Sequence, residues 1–395
     1  MAVRSADQLL RSVAALTLAT LFALSLGSSA SLAALTPAGQ INSSKALVAT
    51  SSQALQNGAD VSWLPTIEQA GSKFYNANRK ATDPLLLMKR AGLNIARVRL
   101  WVGPSTQHGS LTEVLALAKR IKAAGLQLVL DLHYSDWWAD PGKQNKPAAW
   151  ANLTQPQLVQ KVHDYTTSVL TKFASQNTAP AWVQVGNEVG NGILWPNGQI
   201  DQWTSSKFTA MTSLLNAGIK AAHQTSPRTK VMIHLETGGD ASKTDGWLTY
   251  SFANGLIKPD AIGLSYYSQW AGPLSNLSAS IAVVATKWHL PVAVAETAYA
   301  NTMVSVSQQV IDVSKAGLPG FAFTNSGQAA YATAVCALLR SAAGSKALGV
   351  WWWEAFSPNS AQLRWQLEPS QIASSSLVSG GGKANAAMAA LGSAK

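Results

Sequence analysis

The sequence has a single cysteine, Cys336, among its 395 residues. An intramolecular disulfide is therefore excluded, and the setting Ala334-Val335-Cys336-Ala337-Leu338 reads as a buried helix face rather than the surroundings of a nucleophile. Charge is scarce too, at 12% of residues, and acids are scarcer than bases: 19 Asp and Glu against 30 Lys and Arg, a net +11. The basic residues form no run and no aromatic-basic motif, so nothing points to nucleic acid. An acidic polysaccharide matrix or an anionic cell surface suits such a charge equally well. Beyond the N-terminal stretch no segment is long and apolar enough to span a bilayer, which leaves membrane insertion without support. No glycine-rich phosphate turn follows the first strand-like run, and no Cys or His-x-x-x-His spacing marks a metal centre, so neither a cofactor nor a metal is expected.

What the chain has in excess is tryptophan, 15 residues. An indole offers a flat apolar face and one donor, the chemistry that stacks on sugar rings, and several of these Trp stand beside polar residues at strand ends. At the N-terminus, Arg4 and Arg11 precede an apolar stretch over 13–26 and a small-residue Ser31-Leu32-Ala33 site, the layout of a secretory leader over 1–33. Residues 34–56, rich in Ser, Ala and Gln, read as a segment of low order, and 57–395 as one domain.

Within that domain short β-type runs recur at 58–63, 94–101, 127–133, 182–188, 231–236, 261–267, 291–296 and 348–353. Amphipathic helical patterns separate most of them, including 111–122, 158–173 and 208–223. Eight strands alternating with helices predict a single-domain α/β fold, a (β/α)8 TIM barrel; a doubly wound open sheet is the structural alternative. In such a barrel the active site forms at the C-terminal strand ends. Those ends carry Arg97, Arg99 and Trp101; His133 and Asp136; Asn187 and Glu188; His234 and Glu236; Tyr266 and Tyr267; Glu296; and Trp352, Trp353 and Glu354. His163, His223 and His289 fall in helical stretches and carry no expected role.

Glu188 and Glu296 each end a strongly apolar run, where an ionised carboxylate is expensive to bury. Two such groups facing each other across a barrel mouth match the paired carboxyls that cleave glycosidic bonds. Asn187 beside Glu188 suits a hydrogen bond to a sugar 2-hydroxyl. Arg97 or Arg99 is positioned to lower the pKa of Glu296 and keep it ionised, while a drier site raises that of Glu188.

The pattern Asn187-Glu188 with Glu296, together with His133-Tyr134-Ser135-Asp136, Trp138-Ala139-Asp140-Pro141-Gly142-Lys143-Gln144 and Glu296-Thr297-Ala298-Tyr299, resembles glycoside hydrolase family 53 in clan A. These are arabinogalactan endo-β-1,4-galactanases, and the resemblance covers about residues 57–390. It implies a secreted, monomeric, retaining enzyme acting on the galactan side chains of plant pectin. Glu188 would be acid/base and Glu296 nucleophile. Substrate binding would fall to Asn187, Arg97, Arg99, Asp136, Trp138, His133, Tyr267 and Trp353, with no metal or cofactor. The chain departs from the family pattern at Glu236-Thr237, Ala355 and Trp270, all near substrate subsites. Rival readings are another clan A endo-glycanase, such as a mannanase or xylanase, and a non-catalytic carbohydrate-binding barrel.

Overall fold

The structure is a computed structural model and describes residues 54–302, 316–356 and 375–394. The leader expected over 1–33, and the low-order segment up to residue 53, lie outside the described residues. Among the described residues no helix is long and apolar enough to cross a membrane.

Eight parallel strands close into a barrel: β1 (Gly58–Asp60), β2 (Ile95–Leu100), β3 (Gln127–Leu132), β4 (Trp182–Val185), β5 (Lys230–Leu235), β6 (Ala261–Tyr266), β7 (Val292–Thr297) and β8 (Ala347–Trp352). Each pairs with its sequence neighbours and β8 closes on β1, which excludes the open doubly wound sheet. All eight predicted strands exist, most of them shorter than the apolar runs suggested. The helical patterns correspond to Leu111–Ala123, Gln155–Ser175 and Ser205–Thr225. His289 departs from expectation: it follows the preceding helical turn in a left-handed conformation (φ 53°) that ends it before β7.

The caps account for where helices begin. Ser110 accepts the backbone N–H of Glu113 at the start of one, and Thr154 with Gln157 forms a capping box at another. Gly125, at φ +72°, turns the chain from the Leu111–Ala123 helix into β3. Cys336 lies fully buried in the Asn325–Ala343 helix, as expected, and burial pushes its thiol up to about 12.

Strand alternation sorts side chains into two cores. Outward residues such as Val98, Leu130, Val183, Ile233 and Leu264 pack under the helices. Inward residues divide by height. Ile95, Val129, Trp182, Met232, Ala261, Ala293 and Ala295 form an apolar cluster inside the barrel. Two residues further along several of these strands stand Arg97, Asp131, Gln184 and His234, all at 0% exposure. Polar groups buried this completely need partners, and they find them in one another.

Candidate active site

Glu188 lies just beyond β4 rather than within a strand. Gly186 (φ +81°) and Glu188 itself (φ 48°) both take the left-handed conformation, which ends β4 at Val185 and turns the chain upward. A Cβ at residue 186 would meet Val189 Cγ1 at 2.6 Å, so both the backbone and the space require glycine there. A carboxylate on such a strained, non-glycine turn is the sort of feature that clusters at functional sites.

Glu296 reaches the barrel interior by a different device. On β7, Ala293 and Ala295 point inward, so strict alternation sends residue 296 outward. The pairing of β7 shifts by one residue at Ala295: Leu264 pairs with Val294, and Ser265 pairs with Glu296. This bulge turns Glu296 inward as well.

Around Glu296 the polar layer assembles. Arg97 Nη2 lies 2.8 Å from its Oε1, and Tyr267 donates its hydroxyl to Oε2 at 3.1 Å. The two protons on Arg97 Nη2 are directed to Asp131 Oδ2 (2.9 Å) and Asn187 Oδ1 (3.0 Å). The contact with Glu296 is therefore one of charge, and Glu296 Oε1 has no aligned donor among the described residues. Nη1 of Arg97 reaches Asp60 at 3.0 Å and Nε reaches Gln184 at 3.2 Å. Burial opposes the charge on Arg97, but Asp131, Glu296 and Asp60 outweigh it and hold the guanidinium protonated.

Burial pushes the Glu296 carboxyl up to about 7, with Arg97 pulling in the opposite direction. The sequence-based expectation that an arginine would lower this pKa holds for the arginine's own effect, but desolvation is the larger one. Glu188 moves in the same direction: burial first, then the Glu296 charge, hold it well above the usual carboxylate range. Its Oε1 lies 2.7 Å from Ser265 Oγ.

Several residues expected at the substrate are engaged with protein instead. Arg97, which the sequence left tied with Arg99 as the partner of Glu296, is that partner, yet it is fully buried with all three nitrogens occupied. Arg99 serves the aromatic wall: its guanidinium lies over the rings of Trp138 (4.0 Å), Trp63 (4.7 Å) and Trp101 (4.9 Å) and contacts His108 at 2.7 Å. His133 accepts from Trp101 Nε1 and the Ala139 N–H on Nδ1, which leaves the Nε2 proton for Asp131 at 2.9 Å. Neither ring nitrogen is left for a sugar. Asp136 accepts the Gly103 N–H on one carboxyl oxygen and the Ala148 N–H on the other, stapling two loops.

Other expected residues line the mouth. Trp138 and Trp353 stand 5.9 Å apart at 57°, and the Trp138 indole N–H has no acceptor among the described residues. Asn187 donates one amide proton to Ala139 O at 2.8 Å, and its second has no acceptor among the described residues. Beyond Glu188 a cavity of about 780 Å³ opens, lined by Asp140, Glu236, Lys243, Ser265, Tyr267 and Trp270 among others. Trp270 is 72% exposed there, edge-on to Tyr267. Glu236 is tied down by Lys243 (2.8 Å) and the Gly190 N–H (3.0 Å).

Asp60, Asp131, Gln184 and Ser265 were not singled out from the sequence. Asp131 and Gln184 carried a signal, a lone polar residue inside the buried runs QLVLDL and WVQV. Among the described residues no group of three or more His, Cys, Asp or Glu is arranged to hold a metal ion. The segment after β8 falls largely on 357–374, outside the described residues.

A closed parallel barrel with a buried Glu296 at the tip of β7, a partly buried Glu188 just beyond β4, an aromatic wall and an open cleft has the architecture of a glycoside hydrolase. The chain belongs to glycosyl hydrolase family 53, whose model matches residues 56–391. It is 36% identical over 310 residues to an arabinogalactan endo-β-1,4-galactanase of Cellvibrio japonicus, covering 75% of this chain and 79% of that one. An endo-β-1,4-galactanase of Bacillus subtilis is 33% identical over 309 residues, covering 75% and 69%. Among solved structures, the family 53 catalytic domain of Ignisphaera aggregans superposes with a TM-score of 0.78 at 31% identity, covering 85% of this chain and 95% of that one.

Proposed function

We propose that this glycoside hydrolase is a secreted, retaining endo-β-1,4-galactanase that cleaves internal β-1,4-galactosidic bonds in the galactan side chains of pectin. The substrate class rests on the galactanase relatives. The mechanism rests on one observation: the two glutamates, Glu296 buried and Glu188 partly open to the cleft, have different partners. Glu296 contacts a guanidinium and a phenol hydroxyl, while Glu188 faces a serine hydroxyl and the open cleft.

In this reading the Glu296 carboxylate, kept accessible to ionisation by Arg97, attacks the anomeric carbon. Glu188 gives its proton to the departing glycosidic oxygen. The galactosyl ester on Glu296 is then hydrolysed by a water whose proton returns to Glu188. The second amide proton of Asn187 recognises the sugar 2-hydroxyl, and Trp353 with Trp138 supplies the apolar faces that stack on the ring. Export rests on the leader pattern over 1–33, and the enzyme acts as a monomer without cofactor.

Digesting pectic galactan, mannan and xylan side by side tests the substrate. Galacto-oligosaccharides with β configuration at the first-formed reducing end are expected from galactan. Activity confined to mannan or xylan, or α-configured first products, refutes the substrate or the stereochemistry respectively.

A further inference from the structure

Resting on the assignment of Glu188 as acid/base, we propose that Ser265 and His234 are positioning residues that, with Arg97 and Asn187, form a one-way hydrogen-bond chain holding the proton on Glu188.

The direction of the chain follows from counting protons along it, starting at the one group that can only donate. Arg97 Nη2 donates to Asn187 Oδ1 at 3.0 Å, and Asn187 Nδ2 donates to Ala139 O at 2.8 Å, so the Asn187 amide has one orientation. Its Oδ1 lies 2.9 Å from His234 Nδ1. Both are fully or almost fully buried, and a bare ring nitrogen would set two lone pairs against each other at that distance. Nδ1 therefore carries the proton. Gln184 does not reverse this, although its Nε2 lies 3.0 Å from the same ring nitrogen. One Gln184 proton goes to Asp131 Oδ1 at 2.7 Å, and the other has Asn187 Oδ1 and Gly186 O within reach.

A neutral imidazole with its proton on Nδ1 can only accept at Nε2. Burial first, then the charge of Arg97, keeps His234 neutral, with Asp131 acting the other way and His133 adding to the lowering. The group facing Nε2 is Ser265 Oγ at 2.8 Å, so the hydroxyl proton of Ser265 goes to His234. A hydroxyl has one proton. What Ser265 then presents to Glu188 Oε1, 2.7 Å away, is a lone pair, and the contact is satisfied when Glu188 donates.

Ionising Glu188 forces a choice on this chain. Either Ser265 swings its proton to the carboxylate and strands His234 Nε2 in a dry interior, or it stays and opposes a negative oxygen. Both options favour the protonated acid. The other groups that face Glu188 are Glu296, Glu236 and Asp140, all acidic, with Tyr267 near by, so none of them competes for its proton as a cation would. A half-turn of the carboxyl about χ3, a broad two-fold torsion, carries the protonated oxygen to the glycosidic oxygen. The proton leaves with the aglycone, and the carboxylate takes one back from the attacking water.

Two measurements test the chain. In the wild-type enzyme with ¹⁵N-labelled histidine, the His234 ring should show a protonated Nδ1 and a bare Nε2 from acid to alkaline pH. A protonated Nε2 overturns the proposal, and this readout needs no variant to fold. In Ser265→Ala the alkaline limb of kcat/KM on galactan should move down by about half to one pH unit, the loss of one hydrogen bond to the protonated acid. Ser265→Thr, which keeps the hydroxyl, should restore it. A limb that stays put or moves up in Ser265→Ala overturns the proposal. Failure of the acid/base assignment is separate: it would appear as Glu188→Ala retaining full turnover, whichever tautomer His234 shows.

Discussion

Replacing Glu296 by glutamine should make the protein more stable and almost inactive, and the gain should depend on pH. Glutamine copies the shape of the protonated acid but cannot ionise. In the folded protein the Glu296 carboxyl titrates at about 7, against 4.5 for its ordinary value, chiefly because burial disfavours the anion. Below pH 4.5 the acid is protonated in both folded and unfolded chains and contributes no difference. As pH rises from 4.5 to 7 the unfolded chain ionises while the folded one does not, so the folded state loses ground. Above pH 7 both are ionised and the loss is complete. A shift of about 2.5 units at about 1.36 kcal/mol each sets it near 3 kcal/mol. Urea unfolding of wild type and Glu296→Gln between pH 4 and 8.5 checks this. The two curves should coincide at the acid end and separate through the 4.5–7 window, with the variant more stable by about 3 kcal/mol at pH 8. Turnover on galactan should fall on the order of 10⁴- to 10⁶-fold, the range for removing a member of a covalent catalytic set. A variant less stable than wild type at pH 8 would refute this, showing that the Arg97 contact outweighs desolvation.

Tyr267→Phe removes the hydroxyl that Glu296 Oε2 accepts at 3.1 Å, a hydrogen bond to a charged group, and should lower kcat by roughly 10- to 100-fold without unfolding the barrel. Unchanged kcat in steady-state assays would remove Tyr267 from the mechanism. Gly186→Ala places a Cβ 2.6 Å from Val189 Cγ1 on a left-handed turn and should cost about 1–3 kcal/mol in urea unfolding, with loss of activity as Glu188 is displaced. An unaffected variant would mean the turn has slack that its geometry does not suggest. Trp270→Ala should raise KM for galactan several-fold, on the order of 1 kcal/mol of stacking, and leave kcat near its wild-type value. A fall in kcat with KM unchanged would place Trp270 in the chemistry rather than in binding.

The comparison of Arg97 with Arg99 shows where sequence ceases to discriminate. They are two residues apart on one strand and both point into the barrel, so period-two reasoning treats them alike. Only their height separates them. Arg97 lies level with Asp60, Asp131 and Glu296, and Arg99, one step higher, meets Glu354, His108 and three indoles. His133 and Asp136 illustrate the same limit differently. Their types and places suited a sugar, but nearby backbone and ring groups had already engaged their polar atoms.

What the sequence alone determined is the frame: eight apolar runs alternating with helical patterns, and a costly carboxylate ending the fourth and seventh. Those features are local, and the physics that makes them legible is the burial of short apolar segments and the price of a charge among them. What only the tertiary structure decided is direction. The bulge at Ala295 turns Glu296 inward, against the alternation its own strand sets. The left-handed turn after Gly186 lifts Glu188 beyond β4. Ser265, unremarkable in sequence, and Gln184, marked there only as a lone polar residue in a buried run, become part of the site because three strands bring them within 3.1 Å of Asn187 and His234 or Glu188. Hydrogen bonding acts over about 3 Å between residues dozens of positions apart, and no pattern along the chain records which partners folding will bring that close.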